Sequence, residues 1–351
     1  MAATENGKHR MKTYNFFIAA LLLCMSGFAQ QKPHYTQYIL NQYIVNPALT
    51  GIENYVDIKL SHRMQWVGLL DAPVTTYFTI HGPIGKSDDK VTPTSFKPDG
   101  INPRGKTYWD QYVTSSPHHG IGMQIINDRT GPLNHFSVMG TYAYHIGLST
   151  RTNLAAGFGA GITNVSLDAN KIEFIDTQVD PSLYGSSVIN SVKFDANAGL
   201  YLYSSTYFVG ISAQQLFPSK VSFSNSANAV KKLGGKLVPH FFGTAGYRLS
   251  LGDDFNLIPS VMVKYIDPLP TQVEVNAKLQ YLDQAWIGAG YRHKDGISAM
   301  IGMNVSNIFN VGYSYDYTNS RLNNFTRGTH EIIVGFIIGN KYGDSCPRNV
   351  W

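Results

Sequence analysis

Charge is scarce in this chain. Asp, Glu, Lys and Arg supply 15% of its 351 residues, against roughly 25% in an average soluble protein. The net charge of +5 is modest. No Lys/Arg block of the kind that tracks nucleic acid occurs, which argues against a nucleic-acid partner. Cysteine is nearly absent. Of the two present, Cys24 falls in a leader segment, so Cys346 stands alone in the mature chain. That excludes an intramolecular disulfide and a cysteine-built metal cluster. Long apolar runs are missing after the leader, so no stretch offers the roughly 20 residues of a membrane-spanning helix. Catalytic signatures are missing too. There is no GxSxG elbow, no HExxH, and no recognisable Ser–His pair. The glycines at 157, 159 and 161 do not read as a nucleotide loop, because they lie within a strand pattern with no helix after it. The expectation is a protein that is not an enzyme and needs no cofactor.

The leader itself is clear. Met11-Lys12 opens a positive start, Phe16 to Met25 is apolar, and Gly27-Phe28-Ala29 places small residues before a cut. Residues 1–29 read as a signal peptide cleaved after Ala29, with Met11 as an alternative true start. Leu23 before Cys24 is too large for a lipoprotein site.

What the chain has in abundance is tyrosine (22), glycine (33) and period-2 alternation. Val273, Val275, Ala277, Leu279 and Tyr281 share one face of 272–281, and Gln272, Glu274, Asn276, Lys278 and Gln280 the other. The stretches 309–317 and 192–202 repeat the pattern. Fourteen such segments are predicted: 55–62, 75–82, 119–127, 135–146, 153–163, 191–203, 206–213, 239–249, 254–265, 271–281, 284–292, 296–304, 308–317 and 329–338. Most run to about 8–12 residues, which suits a tilted strand crossing a bilayer rather than the five or six usual in soluble sheets. Short connections (147–152, 204–205, 250–253, 282–283, 305–307) alternate with mostly longer ones (63–74, 164–190, 214–238, 318–328), although 266–270 and 293–295 on the long side are short and do not bear on the test. The predicted fold is all-β, a transmembrane antiparallel up-and-down barrel of about 14 strands over 55–338, with outer-membrane lipid around it. In such a barrel the apolar face meets lipid and the polar face lines the lumen. The glycines at 157, 159 and 161 would then leave room for a bulky neighbour or a plug.

One connection breaks the alternation. Residues 83–118 fall on the short-turn side and are far too long, which marks either an inserted segment or a strand count off by one. Residues 30–54 are aromatic and polar and end in Asn46-Pro47-Ala48-Leu49-Thr50-Gly51, which reads as turn chemistry. This N-terminal segment belongs at the periplasmic mouth or folded into the lumen. The tail 339–351 follows the last strand.

Several polar groups are candidates for function. Lys59, Arg63, Lys193, Asp195, Arg248, Lys264, Glu274, Lys278, Arg292 and Asp316 are expected in the lumen. Both signs are present, so a salt-bridged interior is the plainer reading and a selective pore the functional one. His118-His119 is placed in a Pro/Ser-rich loop and read as solvated rather than as a metal site. Asn127, Asp128 and Arg129 are read as a polar turn at the rim. Trp66, Tyr142, Tyr144, Tyr281, Tyr291, Tyr313, Tyr315 and Tyr317 fit interfacial girdles.

Certain segments carry a resemblance. They are Tyr43-Ile-Val-Asn-Pro-Ala-Leu-Thr-Gly51, Arg63-Met-Gln-Trp-Val-Gly68 with Ala72-Pro73 and Thr75-Thr76, and Gly120-Ile-Gly-Met-Gln-Ile-Ile-Asn-Asp128 with Gly131. Gly290-Tyr-Arg292, Gly312-Tyr-Ser-Tyr-Asp316 and His330-Glu331 follow. In this order and spacing the chain resembles the PorP/SprF membrane proteins of the type IX secretion system of Bacteroidota. The ending Cys346-Pro347-Arg348 with Trp351 resembles SprF-type members, whose partners are large gliding adhesins. The resemblance implies a non-enzymatic outer-membrane protein needed for export or surface attachment of particular secreted proteins. Its implied partners are a secreted adhesin or its C-terminal domain and translocon or motor components. Asn46, Pro47, Gly51, Arg63, Trp66, Asn127, Asp128, Cys346, Pro347, Arg348 and Trp351 become the partner-binding candidates. The segment 83–118 departs from the pattern. A porin or substrate-specific transporter is the alternative.

Overall fold

The computed structural model describes residues 36–53, 55–85, 114–168, 171, 188–218, 220–222, 234–252, 254–282, 284–306, 308–319 and 321–339. The leader 1–29, most of the connection after the second strand and the tail with Cys346, Pro347, Arg348 and Trp351 lie outside them. Fourteen strands form the wall: β1 Val56–Met64, β2 Val74–Ile84, β3 His118–Thr130, β4 Leu133–Gly147, β5 Asn153–Asp168, β6 Val188–Tyr203 and β7 Tyr207–Gln214. The second half is β8 His240–Tyr247, β9 Phe255–Ile266, β10 Gln272–Tyr281, β11 Ala285–Arg292, β12 Gly296–Asn304, β13 Phe309–Thr318 and β14 Thr329–Ile338. Each pairs antiparallel with its sequence neighbours. The ring closes where β1 meets β14, from Val56 opposite Ile338 to Met64 opposite His330. This is a closed 14-stranded antiparallel β-barrel, as the periodicity predicts. Closure gives every wall strand a hydrogen-bonded neighbour on both sides. Arg248 interrupts β8, after which Leu249–Leu251 continues the pairing with β9. A two-stranded piece, Lys220–Ser222 with Gly234–Lys236, lies between β7 and β8.

Side-chain burial settles which face is which. The outward positions are apolar and bare: Val192 is 60% exposed and Ile211 58%, and Ile121, Phe158, Phe194, Val275, Ile287 and Ile301 resemble them. The inward positions are polar and covered: Glu331 is 0% exposed and Lys278 2%. A soluble barrel would reverse this, so the outer band calls for lipid. Tyr142, Tyr144, Tyr281, Tyr291, Tyr313 and Tyr317 all lie exposed on the outer face. Among the described residues no helix is long and apolar enough to cross a membrane; the crossing is made by strands.

β3 to β6 run to 13, 15, 16 and 16 residues, whereas the others have 8 to 12. The surplus of β3 to β5 projects at the long-loop mouth. There the outward residues turn polar: Asn127, Arg129, Asn134, Asn164, Ser166 and Asp168. Asn127 and Asp128 are therefore strand residues opposite Thr76 and Thr75, not a rim turn. The connection after β2 also resolves. Ile84 pairs with His119, so β2 and β3 are direct neighbours and no strand is missing. Pro83, Ile84 and His118 belong to strands, which narrows the connection to 85–117. Its end is tied down where the Thr114 amide donates to Thr150 O at 3.0 Å.

Candidate functional site

The lumen is filled by the chain's own N-terminal segment. Three short 3-10 turns, Thr36–Leu40, Gln42–Ile44 and Pro47–Leu49, thread the barrel from end to end. Tyr38, Ile39, Leu40, Tyr43, Ile44, Val45, Ala48, Leu49, Ile52 and Tyr55 are all buried. They pack against Tyr77, Ile126, Trp286, Met300 and Ile333 in one cluster and against Ala155, Tyr201, Tyr203, Phe208 and Ile258 in another. Burial holds the Tyr38 and Tyr43 phenols protonated, well above their usual range.

Asn46, Pro47 and Gly51 set the plug's path. Asn46 Oδ1 accepts from the Ala48 amide at 2.9 Å, capping the turn that Pro47 opens. Asn46 Nδ2 donates to Leu200 O at 3.0 Å and Ile211 O at 3.4 Å, fixing the plug to β6 and β7. Gly51 has φ +72°, which favours glycine. The wall beneath is bare backbone. A Cβ on Gly157 would lie 2.4 Å from Ala48 N, one on Gly120 1.9 Å from Thr50 O, and one on Gly199 2.0 Å from Asn46 Oδ1. A Cβ on Gly122 would lie 2.6 Å from the Tyr43 hydroxyl, and one on Gly210 3.1 Å from Asn46 Nδ2. Gly157 thus does what its pattern suggested, and makes room for a plug.

At the long-loop mouth the plug begins in a buried ionic cluster. Arg63 Nη2 lies 2.9 Å from Asp316 Oδ2, and its Nη1 3.3 Å from Glu331 Oε2. The Thr36 amide donates to Glu331 Oε2 at 2.9 Å, and its hydroxyl to Asp316 Oδ2 at 2.6 Å. Beside it, Arg292 bridges Glu274 at 2.9 Å and Asp295 at 2.8 Å, and Asn276 ties Glu274 to the Tyr38 hydroxyl. Arg63, Arg292, Asp316 and Glu331, scattered over the sequence, thus converge on the start of the plug. Lys59, Asp195, Arg248, Lys264 and Lys278 are buried inside as well, whereas Lys193 is only half-buried.

Above the cluster the loops are laced together. The Val67 amide donates to Gly328 O at 2.9 Å, Arg327 to Val67 O at 2.7 Å, and Trp66 to Thr329 Oγ1 at 3.1 Å. On the other side Gly131 donates to Asp71 O at 3.0 Å, and Lys171 pairs with Asp71. Leu70, 94% exposed, and Phe325, 71% exposed, stand on this loop layer. Trp66 with Arg63, Asp316 and Arg292 lines a cleft below it. Asp128 accepts from Thr75 at 2.6 Å on the inner face of β3, while Asn127 points outward. Of the candidates, Arg63 and Trp66 therefore share the long-loop mouth, Asn46 and Pro47 lie deep in the lumen, Gly51 lies toward the short-turn mouth, and Asn127 faces outward.

His118 and His119 open β3 instead of a loop. Successive strand residues face opposite sides, so His118 is buried inside and His119 bonds the outward Tyr142 hydroxyl. They cannot share a metal ion. Among the described residues no group of three or more His, Cys, Asp or Glu is placed to hold one. Sequence reasoning missed Thr36, Glu331 as a buried partner of Arg63, and His81 and His145. Period-2 alternation marks their faces but not their partners.

An apolar belt, a closed ring and a polar interior define a membrane β-barrel. The chain belongs to the PorP/SprF family of type IX secretion system membrane proteins, whose family model matches residues 27–336. No curated protein matches it. Among solved structures it is similar to the CymD monoaromatic hydrocarbon channel at 13% identity, covering 85% of this chain and 91% of that one, with a TM-score of 0.46. It is also similar to the Ralstonia pickettii toluene transporter TbuX at 11% identity, covering 85% and 93%, with a TM-score of 0.47. At that distance neither neighbour's ligand bears on this chain.

Proposed function

We propose that this barrel sits in the outer membrane as a non-enzymatic interaction subunit. It binds a type IX-secreted protein, in our reading a gliding-type adhesin or its C-terminal domain, and supports its export or surface attachment. The observation that carries the reading is the filled lumen. Plug backbone lies against wall backbone at Gly120 and Gly157, and among the described residues the plug's apolar side chains are buried against the inner wall, which argues against an open bore. The same observation counts against a porin. With β1 starting and β14 ending at the short-turn mouth, that mouth faces the periplasm. The laced loops carrying Trp66, Leu70 and Phe325 then face the cell exterior and are the surface offered to cargo.

Affinity purification of a tagged copy from native outer membranes in mild detergent tests this. A secreted adhesin or translocon component enriched over tag-only controls supports it. Barrel recovered alone, together with steady ion conductance of the intact protein in a planar bilayer, overturns it in favour of a pore.

A further inference from the structure

At the short-turn mouth the plug makes its last turn, Thr50–Gly51, among three buried histidines from three strands. His145 Nε2 donates to Thr50 O at 2.8 Å, and His118 Nε2 to Gly51 O at 3.2 Å. The Gly51 amide donates to His81 Nδ1 at 3.2 Å. The His118 and His145 rings stack, with centroids 4.5 Å apart and planes 3° off parallel.

The remaining ring nitrogens fix what each histidine must be. His118 Nδ1 lies 2.9 Å from Ser116 O. Both its nitrogens therefore face carbonyl oxygens, which only accept, and both bonds need the imidazolium form. His145 Nδ1 lies 3.1 Å from the Tyr203 hydroxyl, which can donate or accept, so this ring keeps its bond to Thr50 in either state. His81 differs. Its Nδ1 must accept from an N–H and so must carry no proton. Its Nε2 is 3.8 Å from Asp57 Oδ2, and Lys59 pairs with the same carboxylate. On the plug side the Tyr43 ring lies 4.4 Å away, and Glu53 lines the same cavity.

We propose that His81, His118 and His145 form a proton-sensitive clasp on the plug, in which protonation of His81 frees the Gly51 amide and loosens the chain that follows it at the narrow mouth. Acid turns the Nδ1 acceptor into a donor facing another donor, and that bond is lost. His118 and His145 keep the Gly51 and Thr50 carbonyls through the same step, so the loosening is confined to the Gly51 amide and the residues after it. The clasp acts whichever partner the barrel serves.

Full-length protein folded into lipid vesicles tests it, in a Cys24→Ala, Cys346→Ala background. A cysteine is placed at Ile52, 2% exposed beside the turn, or at Ile44, 1% exposed in mid-plug. Its rate of modification by a water-soluble maleimide is divided by that of free cysteine at the same pH. Between pH 7.5 and 5.0 the Ile52→Cys ratio is expected to rise by up to about 30-fold, the limit for a ring of ordinary pKa about 6.5 that takes its proton only when released. The Ile44→Cys ratio stays flat. His81→Gln, whose amide oxygen still accepts from Gly51 but does not titrate, removes the rise. A flat Ile52→Cys ratio overturns the proposal. So does an equal rise with His81→Gln, or one shared by Ile44→Cys.

Discussion

Replacing Gly157 by alanine tests whether the plug is seated on bare wall backbone. The new Cβ would lie 2.4 Å from Ala48 N and from the Pro47 carbonyl. Ordinary carbon contacts need roughly 3.5 Å or more, so the plug must retreat by about 1 Å. Asn46 then loses reach to Leu200 O and Ile211 O, already 3.0 and 3.4 Å away. Overpacking costs about 1–3 kcal/mol and each of the two lost hydrogen bonds about 1 kcal/mol, at least about 3 kcal/mol together. Hydrogen exchange reads this locally. The amides of Val45, Asn46, Thr50 and Ile52, each bonded within the plug, should exchange on the order of 100-fold faster, since 1.4 kcal/mol is about tenfold. Gly243 is the control: nothing lies within 4 Å of its Cβ position, and alanine there should leave plug exchange unchanged. If Gly157→Ala and Gly243→Ala exchange alike, the plug is not seated as described.

Arg63→Met strands the buried carboxylates of Asp316 and Glu331 and should cost about 3–5 kcal/mol, whereas the triple change with Asp316→Asn and Glu331→Gln recovers much of it; urea unfolding in vesicles measures both. Asn46→Asp keeps the shape but turns both donor bonds into carboxylate–carbonyl contacts. It should cost about 3 kcal/mol and speed plug exchange without moving amides of the outer loops. Lys171→Ala removes a half-exposed ion pair to Asp71 and should shift the unfolding midpoint by less than about 0.5 kcal/mol.

The fourteen strands were legible because lipid outside and polar groups inside impose a period of two on each of them. Where that solvent contrast stops, legibility stops. β3 continues to Thr130 and β5 to Asp168, yet their outward residues there are Asn127, Arg129, Asn164 and Ser166, so alternation vanishes while pairing goes on. His118 was misplaced for a related reason, since Pro117 and two serines before it read as loop. Burial of Arg63 and Asp316 followed from the inward face. Their common partner Thr36 did not, because a plug that lies across strands has no period of its own. The glycines at 120, 157 and 199 show their purpose only against residues about 70 to 150 positions away.

The plug precedes β1 directly in the chain, yet Thr36 at its far end bonds Asp316 on β13 and Glu331 on β14. One segment therefore ties the first strand to the last across the seam where the ring closes. The segment that fills the lumen is thus also part of what holds the seam shut. Filling and closure therefore share contacts: Thr36 adds its amide and hydroxyl to the Glu331 and Asp316 carboxylates that Arg63 of β1 already holds at the seam.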